Sequence, residues 1–461
     1  MMKRYLVAAV VTAFVAIQAL GAEYYVATTG SDSNPGTAEE PWATVKYAVS
    51  QMAAGDTVWV HGGLYSGQTR ISPSAIGTEA APFRIWAVPG ELPVLDFTGD
   101  SASNAGMQIS GAWWHIKGLQ IQHAGSGGIR IKSASTVQHN TIENCIAYAN
   151  GNMGISIAGT DVAGTIGPSY NTVINCDAYE NFDSATKGEN ADGFAAKFYV
   201  SVGNRFIGCR SWSNSDDGYD MWHAGSGVYL EDCWGWDNGV DIWGVGSTFA
   251  GDGNCFKLGQ LDGAHTLVRC VAWDHPHNGF DLNGNTNGGI TITNCTAFNN
   301  DRNFSMTNGT NMVTDILRNN ISFQPVSGDS ISTQVTQEYN SWQTPPGVSL
   351  TTADFASLDT SALEGWREAD WGLPLVWTLR LAQTSNAIDA GMDAGVPYAG
   401  TAPDLGAFEA GDTTGDNIVD WFDVEKTAED WLKAGVLTDI DLSGSVNFVD
   451  YAIMLQYWTQ G

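Results

Sequence analysis

Residues 208–222, GCRSWSNSDDGYDMW, decide the fold. A cysteine, Cys209, opens the phrase, and an aromatic residue, Tyr219, follows 10 positions later. The same pair of landmarks recurs through the middle of the chain. Cysteines open NCIAYANGNMGISI at Cys145, NCDAYENF at Cys176, DCWGWDNG at Cys233, RCVAWDHPHNGFDL at Cys270 and NCTAFNN at Cys295. Asn320, in RNNISFQ, stands where a further cysteine would fall. Ile155 and Phe280 also lie 10 positions beyond their cysteines, whereas Phe194 and Phe256 lie further from theirs. One insertion between Cys176 and Phe194, and a longer one between Cys233 and Phe256, explain both. With the insertions removed, the coils share a unit of roughly 25 residues, and a fixed period of this length marks a solenoid.

Each unit holds short apolar alternations broken by Asn, Gly and Asp. This is the pattern of a parallel β-helix coil, whose equivalent positions stack ~4.8 Å apart. The cysteines then form an inward column. Stacked cysteines could approach disulfide distance, but small buried thiols filling a core column are the preferred reading. Cys255 falls off this column. Near the N-terminus the chain reads strand, turn, helix, strand. A short helix over 44–52 would cover the open end of the solenoid, where strand edges lack partners. Residues 326–400 lose the repeat and should pack along the outside or cap the far end. PDLGAFE, 403–409, closes this body.

The aromatic landmark aligns a second column. Two residues before it stand Met153, Asp192, Asp217, Asn254 and Asn278; one residue after it stand Ser156, Ala195, Asp220, Lys257 and Asp281. Strand neighbours point to opposite faces. An inward aromatic therefore puts Asp220 and Lys257 side by side on the outer face. Asp192 and Asp217 stack likewise, with Asp216 beside them. Four such carboxylates repel unless a cation sits among them. Asp oxygens suit calcium, and no zinc-like spacing of His or Cys is present. For any single Asp an ordinary turn is the simpler reading; convergence of four in one register favours a metal. Lys257 is then a candidate base, or else the partner of Asp220 in a salt bridge. Lys197 lies two residues beyond Ala195 on the same outward side.

Composition limits the partners. The chain has 461 residues, 50 Asp and Glu against 20 Lys and Arg, and a net charge of -30. That excludes the basic stripe of a nucleic-acid binder and argues against docking on anionic lipid. Residues 1–22 read as a signal peptide, with Lys3 and Arg4 before an apolar run and small residues at the end. The alternative, a membrane anchor, needs ~20 apolar residues, and the run is shorter. The mature chain is expected to be secreted, soluble and monomeric.

A cation and a lysine on an exported solenoid suit an anionic polysaccharide. Binding of the uronate carboxylate by calcium would acidify the neighbouring C5 proton, and a neutral lysine would remove it. Hydrolysis would instead need a protonated carboxyl group across the bond from a second one. Residues 23–410 resemble the secreted pectate lyases of polysaccharide lyase family 9, on GSDSNPGT, GENADGFAAKF, SNSDDGYDMW, NCFKLG and APDLGAFE. The resemblance implies an all-β, right-handed parallel β-helix and polygalacturonate (pectin) as substrate. It implies a calcium site at Asp192, Asp216, Asp217 and Asp220, with Lys257 as the base. The family pattern has Gly where this chain has Cys255, which would place a thiol beside the base. Lys187, Lys197 and Asn283 are further candidates for substrate contacts, with Trp222 and His223 lining the cleft. Two alternatives stay open: a lyase for another uronate polymer such as alginate, and a pectin-binding solenoid without catalysis.

Residues 411–461 form a separate module. Asp412, Thr414, Asp416, Asp420 and Asp423 follow the 1-3-5-9-12 spacing of an EF-hand loop. Asp439, Asp441, Ser443, Asn447 and Asp450 repeat that spacing further along the chain. Helical runs follow each loop. The alternative is an acidic tail with a terminal helix pair. The pair of loops resembles a dockerin, which implies two calcium ions and a cohesin-like partner. Asn417 in place of the loop glycine and Ser443 depart from that pattern.

Overall fold

Each repeat turns at a corner made by one left-handed residue. Just before the ladder position stand Asn144, Asn175, Gly208, Asp232, Arg269, Asn294 and Asn319, with φ between 50° and 61°. Asn, Asp and Gly accept this region most readily. Arg269 is the exception, and its guanidinium is fastened to Asp232 at 2.8 and 2.9 Å and to Glu231 at 2.6 Å. The recurring Asn-Cys dipeptide is therefore a corner followed by an inward side chain.

The computed structural model describes residues 21–454 except 133–135, 262, 286–287, 308–313, 416–418, 420, 430–437 and 441–444. The expected signal peptide lies outside the described residues but for its last two. Among the described residues the strands form three parallel sheets of twelve, ten and nine members. We term them I, II and III. From Phe83 to Ile331 every coil adds one strand to each, and successive coils pair in parallel with no slip of register, so the chain is a parallel β-helix. In sheet III, Phe194 pairs with Tyr219, Tyr219 with Phe256 and Phe256 with Phe280. Their rings stack inside at centroid distances of 5.1, 4.8 and 4.9 Å. The aromatic landmark therefore points inward, as the alternation requires.

The cysteine column is buried, and all seven thiols are free. Cys255 corrects one expectation. Its thiol lies within the core, where it occupies the space that a Cβ on Gly235 would need, 2.4 Å away, and it does not project toward Lys257. Asn320 continues the column by accepting from the Cys295 N–H at 2.8 Å and donating to Asn340 at 2.8 Å.

A second ladder stands five residues beyond each cysteine: Asn150, Asn181, Asn214, Asn238, His275 and Asn300. The first three asparagines each donate to the next coil, at 3.0 Å from Asn150 to Asn181, 2.8 Å from Asn181 to Asn214 and 2.9 Å from Asn214 to Asn238. His275 fits the ladder only as a neutral ring. Its Nε2 accepts from Asn238 at 3.2 Å and its Nδ1 donates to Asn300 at 3.0 Å. Burial pushes its pKa down to about 3.

The N-terminal helix α1 (Val45–Gln51) starts on Thr44, whose hydroxyl caps the Tyr47 N–H, and packs Val45 and Ala48 into the core. Residues 350–408 pack along the outside of sheet II. Phe355, Leu363, Leu379, Leu381 and Leu405 cover Trp234, Trp236, Trp273 and Phe323. Arg367 anchors this cover on Asp177, which also pairs with Arg210 at 2.8 Å. Ala407, in PDLGAFE, donates its N–H to Thr296 at 3.0 Å. Beyond it, α2 (Trp421–Glu429) and α3 (Phe448–Met454) share a small core of Val424, Ile440 and Met454.

The neutral His275 makes stability depend on pH. Its folded pKa is depressed, so its contribution is intact above the unfolded value of ~6.5 and is lost as pH falls below it. His275→Asn should narrow the loss of unfolding free energy between pH 7 and pH 5 by about 2 kcal/mol. Urea titrations of both chains at the two pH values measure this; an unchanged gap would contradict it.

Candidate active site

The acidic cluster grows from two neighbouring coils. Asp192 lies in the turn before the strand Phe194–Lys197, and Asp216 and Asp217 in the turn before Tyr219–Asp220. Asp220 is the outward residue after the inward Tyr219. One coil on, Lys257 occupies the paired position of Asp220. Oxygens of Asp192, Asp216 and Asp217 lie within 4.8 Å of one another. The predicted column is therefore present, and Asp220 and Lys257 are direct cross-strand neighbours.

The site is more enclosed than an outer face suggests. Asp192, Asp216, Asp217 and Asp220 are each no more than 1% exposed, and Lys257 is 9% exposed. The two insertions build the wall. The Ser215 hydroxyl donates to the Gly188 carbonyl at 2.9 Å, and the Ala250 N–H donates to the Lys187 carbonyl at 3.1 Å. Phe182 of one insertion stacks on Trp243 of the other at 4.7 Å.

Two ammonium groups enter the cluster. Lys197 bridges Asp192, at 2.8 Å, and Asp220. Lys257 Nζ lies 2.7 Å from Asp252, 2.8 Å from Asp217 and 3.9 Å from Asp220. Asp252 was not apparent from the sequence. It precedes Lys257 by five residues, just as Asp192 precedes Lys197, and that matching spacing was the available signal.

The electrostatics follow from burial. Burial pushes the Asp192 carboxyl up to about 7, Lys197 opposes the shift, and Asp220 and Asp217 add to it. Asp216 is raised by burial and by Asp217 and Asp192. Asp217 is raised by burial, with Lys257 opposing. Burial alone would favour a neutral Lys257, but Asp220, Asp217, Asp216 and Asp252 outweigh it and hold the ammonium form.

The donor set fits a hard divalent cation. Ligands on opposite sides of an ion with 2.3–2.6 Å bonds stand ~5 Å apart, which matches the oxygen spacing. The carboxylates of the cluster outnumber its two ammonium groups and leave negative charge in excess. Asp217 Oδ2 is buried and lacks a well-aligned hydrogen bond, since its contact with Lys257 is close but misdirected.

The other candidates surround this cluster unevenly. Trp222 donates its N–H to Asp220 at 2.7 Å, and its ring stacks on His223 at 3.7 Å. His223 lies 3.1 Å from Asp161. Asn283 donates its N–H to Asp281, and its buried Nδ2 has no partner among the described residues. Lys187 is exposed on the first insertion. Lys197 is committed to the acids.

A family model described as "Pel9A-like, right handed beta helix region" matches residues 24–320. The chain belongs to this family. It is 37% identical over 403 residues to Pectate lyase L of Dickeya chrysanthemi, covering 84% of this chain and 90% of that protein. Pectate lyase L of Paenibacillus polymyxa is 32% identical over 393 residues, covering 81% and 84%. The crystal structure of pectate lyase Pel9A superposes with a TM-score of 0.77 at 35% identity, covering 85% of this chain and 97% of that one. A rhamnogalacturonan lyase superposes with a TM-score of 0.67 at 26% identity, covering 79% and 97%. This Pel9A-like solenoid thus carries its acid cluster inside the matched region.

The Asp192–Lys197 pair is buried on both sides. Lys197→Met should destabilise the calcium-free protein by about 3–5 kcal/mol, because it strands a buried carboxylate. Adding Asp192→Asn to it should recover part of the loss, the rest remaining because Asp220 also loses Lys197. Denaturant unfolding of the three proteins in chelator tests this; a loss below ~1 kcal/mol in Lys197→Met would contradict it.

Proposed function

We propose that this protein is a calcium-dependent pectate lyase that cleaves polygalacturonate by β-elimination. Relatives named pectate lyase align over more than four fifths of the chain, and the enzyme is a polysaccharide lyase. The observation that carries the mechanism is the pairing of Asp220 with Lys257, with Lys257 Nζ set among Asp217 and Asp252.

Asp192, Asp216, Asp217 and Asp220 would hold the cation. Calcium there supplies charge neutralisation and a Lewis acid for the uronate carboxylate. Lys257 Nζ, as the neutral amine, takes the C5 proton. Electrons of the C5–H bond form the C4–C5 double bond, and the C4–oxygen bond breaks to release the chain. The carboxylates committed to the cation are poor proton donors, which favours elimination over hydrolysis. Trp222 and His223 offer a flat ring pair beside the cleft, and Asn283 Nδ2 a donor for a sugar hydroxyl or carboxylate. Lys197 positions Asp192 and Asp220, and Lys187 offers an exposed cation on the rim. Another uronate polymer such as alginate, or binding without cleavage, is less favoured, because the long alignments run to pectate lyases.

We further propose residues 1–22 as a signal peptide for secretion and 23–410 as the catalytic body, active as a monomer, with α1 covering its first coil. Among the described residues no helix is long and apolar enough to cross a membrane. Residues 411–461 are proposed as a dockerin-like module for a cohesin-like partner. Asp412, Asp423, Asp439 and Asp450 are buried there. Asp423 accepts the N–H groups of Thr413 and Thr414 at 2.7 and 3.0 Å, and Asp450 that of Asn447 at 2.7 Å, as in calcium loops. Asp416, Asp420, Asp441 and Ser443 lie outside the described residues.

Digestion of polygalacturonate should raise near-ultraviolet absorbance as unsaturated ends form. Chelator should abolish the signal and Lys257→Ala should cut the rate by roughly 10²–10⁴-fold. Activity should rise toward alkaline pH, because a lysine base works only as the free amine. Chain shortening without the absorbance change would exclude elimination.

A further inference from the structure

The outer face of sheet III continues away from the acid cluster. Paired outward positions run Arg130, Ser156, Ala195, Asp220 and Lys257 along one row. Lys132, Ala158 and Lys197 run beside them. Arg130 and Lys132 are thus two cations on one strand, Ile129–Lys132, on the same face. Four strand steps separate Arg130 from Lys257, roughly 19 Å along the axis.

These two cations sit side by side without a carboxylate, unlike the cations of the neighbouring buried pairs. Arg210, Arg269, Arg318, Arg367, Lys197 and Lys257 all pair with carboxylates. Among the described residues none pairs with Arg130 or Lys132. Arg130 Nη1 donates to Ser126 at 3.3 Å, but its Nε is buried with no partner. The neighbouring Ser156 is fully buried, alternates outward between Ile155 and Ile157, and its hydroxyl also has no partner. Burial holds the Arg130 guanidinium below its ordinary pKa, and burial plus Arg130 does the same for Lys132. Half-buried like charges, set side by side in a chain of net charge -30, are costly unless an anion joins them.

We infer that Arg130 and Lys132 form a distal subsite that binds a carboxylate of the anionic sugar chain. The inference rests on the lyase reading for the identity of that chain. The subsite therefore lies several sugars from Lys257 along the axis. Arg130 presents N–H donors in a fixed fork and Lys132 a point charge. Long substrates would reach this subsite and short ones would not.

The test uses the full chain with Lys257→Ala, in calcium, titrated calorimetrically with saturated galacturonate octamer and trimer. The octamer should bind more tightly than the trimer. Adding Arg130→Gln and Lys132→Gln should shrink the octamer's advantage roughly tenfold or more, the loss expected for one or two charge-assisted hydrogen bonds. Arg130→Lys with Lys132→Arg, which keeps both charges, should preserve part of it. Lys132→Gln alone, at a half-buried surface position, should give a smaller loss of the same kind and guards against a folding defect in the double change. An advantage that survives both glutamines, or a trimer that weakens as much as the octamer, overturns the subsite. Wild-type cleavage of polygalacturonate is assayed alongside. Absence of unsaturated product there sinks the lyase reading, while the difference between octamer and trimer still reports on the cation pair.

Discussion

Hydrogen bonding between successive coils, without slip of register, is the constraint on which the rest of this structure depends. A strand that slipped by one residue would turn every side chain to the opposite face. Three internal columns prevent this. The aromatic stack fills the centre of sheet III, the thiols fill one corner, and the asparagine ladder satisfies buried polar groups at the next. Each asparagine both donates and accepts between coils, so a displaced coil would leave amides buried and unpaired, at about 1–3 kcal/mol each.

That register converts sequence distance into proximity. Asp192 and Lys257 are far apart along the chain, yet they share one patch because they belong to coils two steps apart. The patch gathers more negative charge than buried carboxylates tolerate alone. Lys197 and Lys257 relieve part of it, and a divalent cation matches the remaining excess. Placing Lys257 within the field of these acids ties the proposed base to the proposed metal site. The same carboxylates that would bind calcium hold the amine protonated when calcium is away.

Much of this was legible in the sequence, because the repeat supplies its own ruler. The Cys-to-aromatic distance fixed both the coil length and the facing of Asp220 and Lys257. The asparagine ladder was equally regular, five residues after each cysteine, but Asn is also the common residue of solenoid turns, which hid it. Asp252 was missed because it sits inside an insertion, where the ruler does not apply. The enclosure of the cluster was missed for the same reason: periodicity says which way a side chain points, not what folds over it. Cys255 was misplaced because its room comes from Gly235, a residue across the insertion in the same coil that no local pattern links to it.

The two insertions, one before Phe194 and one before Phe256, enter at one edge and meet above the acids, while the coils beneath keep an unaltered pitch. The coils set the floor and the insertions the rim, and Asp252 reaches from rim to floor at Lys257 Nζ, 2.7 Å away. A rim lengthened, trimmed or re-surfaced away from Asp252 would leave the stacked positions of the coils where they are.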